Sequence, residues 1–152
     1  MTRLKALCSV WHNRAILSAA TFALSGNLTE LQRLQAEVAR FCGEHRLDGE
    51  VAFDLNLALE ELFTNTVMHG GCKGLADAVH IRLERAGDGV RVEFCDRGAA
   101  FDPIAAPGPD LESPLESRPT GGLGIHLVRK IMCDLAYRRS DEWNRITMRK
   151  PL

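Results

Sequence analysis

The chain has 152 residues, of which 45% are hydrophobic and 26% charged, a composition typical of a globular protein with one core. Its formal net charge of −1 does not favour general binding to nucleic acid or to anionic membranes. Apolar runs are far shorter than the roughly 20 residues that cross a bilayer, and polar residues at 12–14 argue against a signal peptide. The five scattered cysteines favour free thiols in a reducing cytoplasm.

The first part of the chain predicts one strand and two helices. Residues 1–18 show no clear pattern and are treated as an N-terminal extension, followed by a single domain over 19–152. Residues 20–25 are typical of a short strand. Apolar residues then recur at helical spacing over 27–46 and again from residue 48 to a Gly-Gly pair that ends the second helix. The apolar face of that helix is expected to contain Phe53, Leu55, Leu59, Leu62, Phe63 and Val67.

The second part of the chain predicts two hairpins that flank a loop and a helix. Residues 79–83 and 90–94 alternate apolar and polar side chains around a Gly-Asp-Gly turn, as half-buried strands do. The proline-rich stretch 103–120 is predicted to be a long loop, and such loops are often functional. A closing hairpin is expected over 135–149, around a turn at 141–144. A third long helix is marked by Ile125, Val128, Ile131, Met132 and Leu135.

This order of elements predicts the fold class. Helices that are segregated from a set of hairpins give an α+β two-layer sandwich. We therefore expect a mixed, mostly antiparallel sheet with three main helices on one face.

The first candidate functional segment is E-E-L-F-T-N-T-V-M-H at residues 60–69. Glu61, Asn65 and His69 are four residues apart and share one helix face, whereas Glu60 points about 100° away. A neutral amide oxygen suits Mg²⁺, and a carboxylate one turn away can accept a proton from a hydroxyl. The alternative is a solvated glutamate beside an asparagine that makes local hydrogen bonds.

The second candidate segment is D-R-G-A-A-F-D at residues 96–102, directly after a predicted strand. Asp96 can accept a hydrogen bond from the exocyclic amine of adenine. Gly98 allows a positive φ or a close approach of the backbone. Phe101 either covers the base or anchors the loop. An ordinary turn at the end of a strand is the alternative.

The third candidate segment is G-G-L-G-I-H-L at residues 121–127, at the start of a predicted helix. Free N–H groups and the helix dipole favour an anion there, and glycines let a phosphate approach closely. A flexible loop with a helix cap is the alternative. A dinucleotide-binding fingerprint would open the first β-α unit, and the P-loop pattern is absent from the sequence.

In this order the three segments resemble the N, G1 and G2 boxes of the GHKL ATPase and kinase superfamily. Within it, the chain is most similar to the anti-sigma factor serine/threonine kinases of bacteria, over roughly residues 20–150. The resemblance implies the Bergerat ATP-binding fold and the use of ATP with Mg²⁺. Since 152 residues leave little room for a phospho-accepting helical domain, we expect a stand-alone kinase domain.

The resemblance also implies a role for individual residues. Glu61 is expected to be the catalytic base and Asn65 the magnesium ligand, while His69 is expected to be structural. The loop at 103–120 corresponds to the ATP lid, which would be mobile without nucleotide and order over the triphosphate. Arg118 in that loop either reaches a phosphate or stays solvated. The expected nucleotide-binding residues are Asn65, Asp96, Gly98, Phe101, Gly121, Gly122, Leu123, Gly124 and Ile125.

Members of this family phosphorylate a small anti-anti-sigma protein on serine or threonine, and many also sequester a sigma factor. The resemblance therefore implies a cytoplasmic protein kinase with a STAS-type protein substrate and a sigma factor as second partner, without direct contact with nucleic acid or membrane. Known members often dimerise, so a homodimer is a further expectation. The alternatives are a nucleotide-sensing module that sequesters a partner without phosphoryl transfer, and a scaffold without a ligand; the presence of Glu61 favours the kinase.

Overall fold

The computed structural model describes residues 16–108 and 123–152. These residues form five strands and three main helices in the predicted order. One turn of 3-10 helix, Leu28–Glu30, leads into the first main helix. The elements are β1 Ile16–Leu24, α1 Leu31–Glu44, α2 Gly49–His69, β2 Val79–Ala86, β3 Gly89–Asp96, α3 Leu123–Ile131, β4 Cys133–Ser140 and β5 Trp143–Pro151.

The strands form one sheet in the order β1-β2-β3-β5-β4, and every pairing between these described strands is antiparallel. Apolar side chains on one face of the sheet, such as Phe22, Ile81 and Phe94, share a buried core with Leu55 and Leu59 of α2. Polar residues alternate with the buried ones along β2, as expected for a sheet that is covered on one face. The predicted α+β two-layer sandwich is confirmed.

The first two helices begin and end where local chemistry predicts. The side chain of Asn27 accepts a hydrogen bond from Thr29 N at 3.0 Å, directly before the first helical turn. The side chain of Asp48 accepts one from Val51 N at 2.8 Å. Each bond satisfies an N–H group that a helix start leaves without a partner. α2 then ends directly before Gly70.

Two details of the predicted helices are wrong. Phe53 was expected on the apolar face of α2, but it is 65% exposed. Because successive helical residues are about 100° apart, Phe53 lies about 200° from the buried Leu55 and faces solvent. α3 was expected to continue to Leu135, but it ends at Ile131 and Leu135 lies in β4. The positive φ of 54° at Asp134 and a register shift beside it mark this change from helix to strand.

Two strand boundaries also differ from the prediction. β1 was expected over 20–25 but begins at Ile16, because the sequence I-L-S-A-A-T-F-A-L lacks the alternation that reveals a strand. The closing hairpin turns on Asp141 and Glu142 alone, with φ values of 51° and 67°. β5 therefore starts directly after them and includes Asn144, which the prediction had placed in the turn.

None of the helices in the described part of the chain has both the length and the apolar character needed to cross a bilayer. The cysteines in this part are free thiols, and burial raises the pKa of the Cys95 thiol to about 12, aided by the charge of Glu93. Cys8 lies outside the described residues.

The segment after α2 packs tightly against the chain that follows β1. Gly26 N donates to Leu75 O at 2.8 Å, and Gly26 O accepts from Gly74 N at 2.9 Å. A Cβ on Gly26 would lie 1.7 Å from Cys72 O, a backbone atom that cannot rotate away.

We therefore expect Gly26→Ala to lower the free energy of unfolding by about 2 kcal/mol or more, as measured by urea denaturation.

Gly43→Ala is the matched control, because Gly43 is exposed on α1 and a Cβ there would meet nothing within 4 Å. Alanine is the better helix former, so this variant should be neutral or more stable by up to about 1 kcal/mol. Equal stability of the two variants would contradict the tight packing at Gly26.

Candidate active site

The first and third predicted segments meet at one cavity of about 160 Å³. Glu61, Asn65 and His69 of α2 line one side of it, as their spacing predicts. The first residues of α3 line the other side, with Leu123 55% exposed and Ile125 buried in the core. The arrangement places an acid, an amide and the start of a helix around a space open to solvent.

Gly124 makes room for the carboxylate of Glu61. A Cβ on Gly124 would lie 1.9 Å from Glu61 Oε2 and 2.7 Å from its Cδ. The carboxylate therefore lies against the first turn of α3, where the N-terminal end of the helix dipole favours negative charge. This is the region where the sequence predicts a phosphate.

A second, smaller cavity lies at the end of β3. Asp96 and Asn144 line it together with Phe101, and Asn65 lines both cavities. Its volume is about 20 Å³, room for about one water molecule. A planar base would enter only after part of the rim moved, and Phe101, which is 41% exposed, is the large side chain at that rim.

Asp96 is a buried carboxylate held by several donors. Its Oδ1 accepts hydrogen bonds from Gly98 N at 2.7 Å and from Asn144 Nδ2 at 2.9 Å, and the Thr66 hydroxyl bonds to the same carboxylate. Burial raises the pKa of Asp96 above its usual range, while these bonds and the charge of Arg139 act in the opposite direction. A Cβ on Gly98 would lie 2.7 Å from Oδ1, so glycine is needed here for close approach and not for a positive φ.

Asn144 is a residue of the candidate site that the sequence prediction missed. It is 2% exposed, and its Nδ2 also donates to Ala99 O at 2.8 Å. Its Oδ1 accepts from the Tyr137 hydroxyl and from Arg139 Nη1, both at 2.8 Å. Asn144 pairs directly with Asp96 across β3 and β5. A prediction of the closing hairpin with a two-residue turn at 141–142 would have placed Asn144 on β5.

The remaining predicted site residues stand as follows. His69 is exposed and lines the larger cavity, and its ring makes no hydrogen bond to any described residue. The predicted hydrogen bond of His69 at the helix end is therefore not seen among the described residues, where Gly70 N donates to the carbonyl oxygens of Asn65 and Thr66. Gly121, Gly122, Arg118 and the loop from residue 109 onward lie outside the described residues.

The oxygen donors present suit a magnesium nucleotide. Asn65 offers a neutral oxygen between the two cavities, and Glu61 a carboxylate one turn away. No cluster of three His, Cys, Asp or Glu side chains that could form an all-protein metal cage occurs within residues 16–108 and 123–152. A hard cation that takes most of its ligands from phosphates and water fits this sparse set.

The fold and the family comparison together identify an ATPase domain of the GHKL type. The chain belongs to the histidine kinase-like ATPase domain family, whose model matches residues 24–150. It is similar to the serine/threonine-protein kinase BtrW of Bordetella bronchiseptica, with 35% identity over 103 residues that cover 68% of this chain and 72% of that protein. The predicted membership of the GHKL superfamily is thereby confirmed, and the similarity to a serine/threonine-protein kinase agrees with the predicted kinase branch.

A solved structure shares the fold. The crystal structure of the RsbU and RsbW domains of Rv1364c from Mycobacterium tuberculosis matches 89% of this chain with a TM-score of 0.64 and 16% identity. This chain spans 32% of that longer one. At this identity, the match supports the architecture alone.

We expect Asn144→Ala to destabilise the protein in a pH-dependent way. A buried carboxylate that loses a donor costs about 1–3 kcal/mol when ionised and less when protonated. Because the pKa of folded Asp96 is already raised, this group makes the protein less stable as the pH rises above its unfolded value of 3.8. The variant raises that pKa further, so its loss of stability should be larger at pH 7 than at pH 4 in urea denaturation.

Asn56→Ala is the matched control for this measurement. Asn56 lies on α2 and donates to Ala52 O at 3.1 Å, while its Oδ1 is buried without a hydrogen-bond partner in the described structure. No described hydrogen bond links its side chain to an ionisable group, so its effect on stability should not change with pH. A pH-independent loss in Asn144→Ala would contradict the coupling to Asp96.

Proposed function

We propose that the chain is an ATP-dependent serine/threonine protein kinase that acts as an anti-sigma factor and phosphorylates an anti-anti-sigma partner of the STAS type. The observation that carries this proposal is the position of Glu61, whose carboxylate lies against Gly124 in a cavity shared with Asn65. Similarity to a protein serine/threonine kinase supports the choice of acceptor. A sigma factor as second partner, a homodimer and a cytoplasmic location belong to the same proposal.

ATP would span the two cavities. The exocyclic amine of its base would donate to Asp96, whose Oδ1 is already held by protein donors. Its phosphates would extend past Asn65 to the start of α3, where N–H groups and the helix dipole favour negative charge. Gly98 and Gly124 let the backbone lie directly against Asp96 and Glu61, because a Cβ at either glycine would clash with that carboxylate.

Asn65 would hold Mg²⁺, which when bound offsets the negative charge of the triphosphate. Glu61 would accept the proton of the partner's hydroxyl as that oxygen attacks the γ-phosphorus. The bond between the γ-phosphorus and the bridging oxygen then breaks, and ADP leaves with the electron pair. Positioning and charge neutralisation account for most of the rate in this type of reaction.

Glu61→Gln tests the proton-acceptor role. The amide keeps the size of the side chain but cannot accept a proton, so partner phosphorylation should fall by about 100-fold or more. Partner binding should stay unchanged, and ATP affinity should not fall, because the substitution removes a negative charge from the phosphate end of the cavity. A radiolabel-transfer assay with the STAS-type partner, together with calorimetry, measures both.

Glu60→Gln is the control for this variant. Glu60 is adjacent in sequence but accepts a hydrogen bond from Gln35 of α1 at 2.8 Å and does not line the cavity. This variant should phosphorylate the partner at the wild-type rate. Undiminished transfer by Glu61→Gln would show that Glu61 is not the proton acceptor. A wild-type protein that bound ATP and the partner without transfer would favour the alternative of a nucleotide-sensing module.

Asn65→Ala tests the metal role. Removing the amide oxygen should weaken ATP binding by about tenfold in the presence of Mg²⁺, the size of one lost ligand or charge-assisted bond. Binding measured without Mg²⁺ should change much less. Calorimetry with and without Mg²⁺ checks this, with Asn56→Ala as a control on the same helix. Full retention of Mg²⁺-dependent affinity would refute the assignment.

A further inference from the structure

Arg129 of α3 binds the chain segment that leaves the base cavity. Its Nε donates to Pro103 O at 2.9 Å, and its Nη2 donates to Ile104 O at 2.8 Å. Nη2 also bonds to the carbonyls of Pro103 and Ala106. One guanidinium thus donates to the carbonyl oxygens of three residues, Pro103, Ile104 and Ala106, which lie about 25 residues earlier in the sequence.

The bound segment is a compact turn. Asp102 Oδ1 accepts from Ile104 N at 2.8 Å and from Ala105 N at 3.3 Å, while Asp102 O accepts from Ala106 N at 3.1 Å. These bonds satisfy the N–H groups of the turn and direct its carbonyls to α3. Arg129 therefore binds the carbonyl oxygens of a turn whose N–H groups are already bonded to Asp102.

The two ends of this contact belong to the two halves of the proposed site. Phe101, which lines the base cavity, is two residues before Pro103. Gly124, which contacts Glu61, starts the same helix that carries Arg129. α3 is held independently, because Val128 is 2% exposed in the core. Losing Arg129 would therefore release the turn at 102–106 and not the helix.

Arginine is suited to this task and not to direct phosphate binding in this geometry. Its planar fork presents several donors at fixed angles, whereas a lysine ammonium is a point charge. Here the fork is occupied by carbonyl oxygens. A phosphate contact by Arg129 would require breaking this set of bonds.

We propose that Arg129 is a positioning residue that fixes the turn at 102–106, and through it Phe101 at the base cavity, to the helix that begins at the phosphate side. The inference deepens the proposed function, on which its kinetic consequence rests. Fixing the turn keeps the base and phosphate ends of the site at a constant separation. Its loss would weaken nucleotide binding while leaving Glu61 and Asn65 in place.

Arg129→Gln is the test variant. We expect the amides of the turn at 102–106 to exchange hydrogen about tenfold faster, because local opening costs less without the guanidinium. ATP affinity measured by calorimetry should fall by about tenfold, the size of one lost set of charge-assisted bonds. In partner phosphorylation, KM for ATP should rise while kcat stays unchanged. Arg129→Lys should recover part of the affinity.

Lys130→Gln is the matched control, because Lys130 is the exposed neighbour on the same helix and its loss removes the same charge. It should change neither exchange nor affinity; equal weakening by both variants would mean that charge alone matters and would overturn the inference. Unchanged exchange at 102–106 in Arg129→Gln would also overturn it, as would faster exchange with unchanged ATP affinity. If the wild-type protein phosphorylated no partner, the proposed function would fail, while exchange and ATP affinity would still decide this inference.

Discussion

The buried carboxylate of Asp96 is the constraint on which the rest of the site depends. A charge removed from water is strongly unfavourable unless donors replace the lost solvent. Those donors come from Gly98, from Asn144 on β5 and from Thr66 on α2. The need to satisfy one group therefore brings the end of a central strand, its neighbour strand and a helix together.

The orientation of α2 follows from this arrangement. Thr66 faces Asp96, and the Gly70 carbonyl at the end of the helix accepts from Ala99 N at 2.8 Å. With that end of α2 held, helical geometry places Asn65 between the two cavities and Glu61 one turn earlier, beside Gly124. The acid and the amide are therefore positioned by contacts made at the other end of their helix.

Local periodicity was enough to predict most elements and the shared helix face of Glu61 and Asn65, whereas the resemblance to a known family implied that Gly124 belongs to the same site. Residues at i and i+4 share a helix face whatever the tertiary structure is, and a glycine pair or a capping Asp marks a helix end. Asn144 and Arg129 were not predicted, because their partners lie 48 and 26 residues away and no local pattern reports such contacts. Phe53 is the opposite case: local geometry was sufficient, but the residue was assigned to the apolar face of α2 although helical spacing turns it to solvent.

The spacing of Glu61 and Asn65 also meets an electrostatic requirement of the proposed reaction. The Glu61 carboxylate lies at the start of α3, where the phosphates of ATP would bind, so two negative groups would share one end of a helix. Like charges at that distance repel, and the dipole of a nine-residue helix offsets only a fraction of one charge. A divalent cation held one turn away by Asn65 would supply the missing positive charge without neutralising the base by direct contact. An amide suits that position better than a second carboxylate, because it binds the cation without adding to the repulsion.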